Sequence, residues 1–202
     1  MTASDVGMTE ESFRKLALGA TGDSAGNIIH GIADAMAKSG LTPAQLLQGN
    51  AWKDIYENQV KNAPEFAADY ARLASVRLGE DDIKINERIT NYLKAMDDAK
   101  ISFTKLSEAI FGMTMEVEVD GKRQFVDVAG RLDQLMLDAS GNPFVMDNKT
   151  FAITGKEGYQ LQLQSMLLKA NTDYLLEHKD ELGLTEEQIK KIAEESIETV
   201  IA

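Results

Sequence analysis

The stretch "MTMEVEVDGKRQFVDVAGRLDQLMLDASGNPFVMDNKTFAI", residues 113–153, decides the fold. Apolar and polar residues alternate along it with the period of two that sends successive side chains to opposite faces of a strand. Asp120-Gly121 is a tight hairpin signal, because the favoured two-residue turn needs positive φ at both central positions. Ser140-Gly141-Asn142-Pro143 punctuates the run a second time. Three antiparallel strands are predicted, over 113–119, 124–138 with a bend near Gly130, and 143–149.

Outside this stretch the period is helical. "ESFRKLALGA" spaces Phe13, Leu16 and Ala17 along one helical face, and "GNIIHGIADAMAKSG" does the same with Ile28, Ile29, Ile32, Ala33 and Met36, stopping at Gly40. Thr42 is an N-cap followed by Pro43 at the first helical position. Phe66, Tyr70 and Leu73, and then Ile85, Ile89 and Leu93, continue the pattern. Downstream, a long helix is predicted with Leu163, Met166, Leu167 and Ala170 inward. Thr185 and Gln188 form a capping-box pattern for a last helix through "EEQIKKIAEESIETVIA". The expected class is α/β in the mixed α+β sense, with a small central sheet. One domain is expected over 1–202, mainly helical over 1–110 and a sheet and helical core over 111–202.

Composition narrows the function. Apolar residues make up 44% and charged residues 27%, ordinary for a soluble globular chain. No apolar run approaches the ~18 residues that span a bilayer, and "MTASDVGMTEESFRK" is too polar for a secretory signal. A cytoplasmic protein without membrane contact is expected. With no cysteine, thiolate metal sites and iron–sulfur clusters are excluded. A net charge of −12 opposes a polyanionic partner unless a basic strip or bound divalent cations reverse the local field.

The chemistry gathers at the strand ends. Asp133 lies on the middle strand, and Asp147 and Lys149 lie two apart on the next, so a hairpin turning at 139–143 is expected to set Asp133 across from Lys149. Carboxylates so placed suit a hard divalent cation. A lysine beside it suits orientation of water or stabilisation of phosphoryl charge. With no serine or cysteine nucleophile nearby, phosphodiester hydrolysis fits better than acyl transfer.

"GRLD", a following strand ending "VMDNKT", and then "YQLQLQSMLL" resemble the RecB-like nuclease domain of the PD-(D/E)xK superfamily. Gly26 and His30 in "GNIIHG" match that family's upstream Gly-x-x-x-His helix. The matching motifs span residues 26–30 and 130–168. The resemblance implies a restriction-endonuclease-like core and Mg²⁺ or Mn²⁺ held by His30, Asp133 and Asp147, with the backbone carbonyl of Asn148 added. It also implies that Lys149 assists the attacking water and that Gln162, in the glutamine position of the helix motif, orients Lys149 or the phosphate. The implied activity is metal-dependent hydrolysis of DNA, of the exonuclease type, on linear DNA. A protein partner from a recombination or phage system is a further expectation.

Plainer readings stand beside these. His178 reads as solvated, Glu116 and Glu118 as a solvated sheet face, and Trp52, Tyr56, Phe66 and Tyr70 as core. Arg131 is open between contacting phosphate and covering the sheet. Lys122, Arg123, Arg131 and Lys156 are the candidates for a basic groove. The alternative from another class is a nuclease-fold module that no longer cuts DNA and acts in protein binding or assembly.

Overall fold

The structure, a computed structural model, describes residues 24–62, 80–147, 157–195 and 197–201. The helical readings around Phe13 and around Phe66, Tyr70 and Leu73 lie outside those residues. Helix α1 (Ser24–Ser39) buries Ile32, Ala33 and Met36 and ends before Gly40, whose φ of 72° only glycine adopts without strain. Helix α2 (Pro43–Leu47) opens with the expected cap: Gln45 N–H donates to Thr42 Oγ1 at 3.3 Å, and Thr42 N–H donates to Gln45 Oε1 at 2.9 Å. Helices α3 (Ala51–Asn62) and α4 (Glu80–Asp98) add Trp52, Ile89 and Leu93, completing a helical core with Leu46. Trp52 is therefore core, as its spacing suggested.

Strands β1 (Ser102–Val119), β2 (Lys122–Leu137), β3 (Pro143–Asp147) and β4 (Glu198–Ile201) form one mixed sheet in that order. The first two contacts are antiparallel, and β4 runs parallel to β3. Asp120 (φ 53°) and Gly121 (φ 70°) make the hairpin turn that the Asp-Gly pair promised. The β2–β3 turn centres on Asp138, whose Oδ1 accepts from the backbone N–H groups of Ser140 and Asn142, each at 2.8 Å. The Asn142 side-chain amide donates to Oδ2 at 2.9 Å, and these bonds lower the Asp138 pKa.

Helices α5 (Glu157–Ala170), α6 (Thr172–Glu177), α7 (Lys179–Leu182) and α8 (Glu186–Glu194) follow β3 in the chain. Leu161, Leu167, Leu168, Leu175 and Ile189 from them share a core with Leu132, Leu135 and Val145 of the sheet. A third cluster, Met96 with Met136, Phe144 and Met146, welds α4 to the sheet.

Four expectations are corrected. Strand β1 begins at Ser102, well before residue 113. The long helix breaks at Asn171, whose buried amide donates to Gly112 O at 3.0 Å and Leu167 O at 2.7 Å, tying the helix end to β1. Within α5, Leu167 points inward as expected, but Met166 and Ala170 are exposed while Leu161, Gln164 and Leu168 are buried. The last helix stops at Glu194, and the β-branched run Thr199-Val200-Ile201 falls in a strand instead.

Candidate metal centre

The site forms where the β1–β2 ladder loses its regular period. Leu106 and Ala109 are three apart rather than two, yet both face the same core, as do Leu132 and Leu135 on the partner strand. The register slips between Phe103 and Ser107, and Glu108 takes a φ of 50°, an uncommon conformation for a residue with a Cβ. Side chains satisfy carbonyls at this break. Thr104 Oγ1 donates to Leu135 O at 2.7 Å, and Ser107 Oγ donates to Asp133 O at 3.1 Å. Gln164 Nε2 on α5 donates to Arg131 O at 3.0 Å. The break turns Glu108 and Asp133 toward His30 of α1.

His30 Nδ1 lies 2.8 Å from Glu108 Oε1 and 3.5 Å from Asp133 Oδ2. One ligand atom from each of these three residues falls within 4.8 Å of the other two. Arg131 Nε is 3.1 Å from the second Glu108 oxygen, so His30 and Arg131 engage that carboxylate from its two ends. The register that pairs Gln134 with Met146 sets Asp147 beside Asp133, close enough for the one carboxyl to raise the pKa of the other. Asp147 is fully buried and Asp133 nearly so.

Crowding sets the protonation. Burial, the neighbouring Asp147 carboxyl and the negative charge of Glu108 push the Asp133 carboxyl up to about 8, with His30 pulling the other way. Burial by itself lowers the imidazole pKa. The Glu108 hydrogen bond and the charges of Asp133 and Glu108 outweigh it, and His30 is raised from its ordinary value. One helical turn on, Asp34 is also raised by burial, against the opposing pull of Lys38, whose Nζ sits 2.7 Å from Oδ1. Carboxylates this close and this poorly hydrated are stabilised by a cation between them. The donor set of carboxylate oxygens with one imidazole suits Mg²⁺ or, given the nitrogen, Mn²⁺.

Of the residues expected at the site, the structure brings together His30, Asp133 and Asp147. Asn148 and Lys149 lie outside the described residues, as does Lys156. Asp133 faces Asp147 rather than Lys149, because the turn occupies 138–142 and β3 starts at Pro143. Gln162 is exposed, and the glutamine that reaches the β2 backbone beside the site is Gln164, two residues on. Lys122 and Arg123 stand exposed at the hairpin tip, Arg123 paired with Glu116 at 3.1 Å, so Arg131 alone of the described basic candidates stands at the cluster. His178 is half-buried, stacked on Tyr174 at 4.2 Å, rather than solvated.

Glu108 is the residue the sequence reading missed. Phe103, Leu106 and Ile110 are spaced by three and four, which mimics a helix, and the register slip between Phe103 and Ser107 interrupts the strand period there. The β-branched and aromatic content of "ISFTKLSEAIF" was the available sign of a strand. No protein-family model, no curated protein and no solved structure matches the chain.

Proposed function

We propose that this chain is a divalent-metal-dependent nuclease that hydrolyses phosphodiester bonds of DNA, of the exonuclease type, with a RecB-like PD-(D/E)xK core. The observation that carries the reading is the convergence of His30, Glu108 and Asp133 within 4.8 Å, from a helix and two strands, with Asp147 against Asp133. Titratable groups drawn from three elements into one partly buried corner, with shifted pKa values, are the pattern of a functional site.

His30, Glu108, Asp133 and Asp147 would hold Mg²⁺ or Mn²⁺. The cation, when bound, would polarise a phosphoryl oxygen and lower the pKa of water for attack on phosphorus. The protein's own part is positional. Ser107 and Gln164 fix the β2 backbone on either side of Leu132, and His30 and Arg131 hold the Glu108 carboxylate between them. Lys149 would orient the nucleophile, and the Asn148 carbonyl would add a ligand, on the strength of the Asp-x-Lys motif.

The test is Mn²⁺-dependent degradation of end-labelled linear DNA by wild type, Asp133→Ala and Lys149→Ala. Cutting by the wild type and its loss in both variants is the expected result. Mn²⁺ binding without cutting would overturn the nuclease reading and favour an assembly module.

A further inference from the structure

Among the described residues Arg131 is the one guanidinium at a corner lined by carboxylates and the His30 imidazole, and its backbone is tied to α5. Its carbonyl accepts from the buried Gln164 amide at 3.0 Å, and its Nε lies 3.1 Å from Glu108 Oε2. It stands near enough to His30 to oppose that ring's protonation. Yet about a quarter of the side chain, 26%, reaches solvent. An arginine carries five N–H donors in a planar fork, and the Glu108 contact runs through Nε. The two terminal amino groups are the part of the fork suited to a second anion.

Charge balance decides which anion. Glu108, Asp133 and Asp147 bring three carboxylates, which one guanidinium and one divalent cation would cancel. Without the cation the neighbouring carboxylates weaken the hold of the guanidinium on an anion. With the cation, an anion beside the guanidinium would meet a second positive charge. The fork geometry selects an oxyanion with two adjacent acceptor oxygens, and a phosphate group offers them.

We propose that Arg131 is the phosphate-recognition residue of this site, contacting a non-bridging phosphate oxygen through its terminal amino groups while its Nε keeps Glu108 in place. This rests on the proposed metal site and names the substrate group that site receives. It answers in favour of phosphate the choice that the sequence left open for this residue.

Two binding measurements on the full chain separate phosphate contact from a purely structural role. Mn²⁺ is titrated calorimetrically into wild type, Arg131→Lys, Arg131→Gln and Glu108→Ala. A dithymidine phosphorothioate is then titrated into each Mn²⁺-loaded protein. Arg131→Gln should change Mn²⁺ affinity far less than Glu108→Ala does, since the lost hold on Glu108 and the lost positive charge oppose each other, while its dinucleotide affinity falls at least about tenfold. Arg131→Lys should keep part of that affinity, because it retains charge without the fork. If Arg131→Gln weakens Mn²⁺ binding as Glu108→Ala does, and dinucleotide binding falls only in step, Arg131 merely positions Glu108 and the proposal is overturned. Unchanged dinucleotide affinity in Arg131→Gln overturns it too. Should wild type take up no Mn²⁺, the metal reading fails by itself. Dinucleotide binding in chelator then decides for Arg131: binding that depends on the arginine keeps the phosphate role, and none ends it.

Discussion

Asp133 is a buried carboxyl beside a second one, and metal-free protein should show the cost. Replacing it with Asn removes the charge and keeps the shape, so Asp133→Asn should raise the stability of the metal-free chain by about 1–3 kcal/mol while abolishing metal-induced stabilisation. Urea unfolding with and without Mn²⁺ reads both. The pH dependence has a definite sign. Folded Asp133 stays protonated up to about 8, whereas the unfolded chain ionises near its ordinary value, so the folded state binds the extra proton between them. Folded His30, raised above its ordinary 6.5, contributes stability below that value and loses it as pH rises through the folded pKa. Both groups act in the same direction. In chelator, the urea midpoint should fall between about pH 4 and about pH 8, and Asp133→Asn should flatten the fall.

Gly130 is where β2 meets α5. A Cβ at that position would lie 2.8 Å from Leu167 Cδ1, and Leu167 is buried. Gly130→Ala should cost about 1–3 kcal/mol by overpacking, measured as a shift of the urea midpoint at unchanged slope. At the far end of the same layer, Thr185 caps α8 and Gln188 reaches Gly141 O at 3.1 Å. Thr185→Ala should cost about 1 kcal/mol through the lost cap. These elements also show what the sequence could reveal. Periodicity found α1, α4 and the hairpin, and strand-end carboxylates found Asp133 and Asp147, because each follows a local rule. Glu108 escaped because the ladder break that turns it toward His30 also replaces the strand period with a helix-like one. Strand β4 escaped because four residues after a well-capped helix read as its continuation, and only the vacant flank of β3 makes them a strand.

For the molecule as a whole, a net charge of −12 opposes a polyanion, so the proposed function requires a bound divalent cation or a basic strip to reverse the local field. Linear DNA should be retarded on a native gel in Mg²⁺ and run free in chelator. The same cation should stabilise the fold, by about 2.7 kcal/mol at a hundredfold excess over its dissociation constant. Among the described residues no helix is long and apolar enough to cross a membrane. Sheet order carries one more consequence. All five residues of β3 are buried, Asp147 among them, and the strand that flanks its second side comes from residues 198–201, far downstream. A chain emerging from the ribosome thus carries His30, Glu108 and Asp133 long before the strand bearing Asp147 gains its outer neighbour. A growing chain leaves that side of β3, and Asp147 with it, without its covering strand until residues 198–201 have been made.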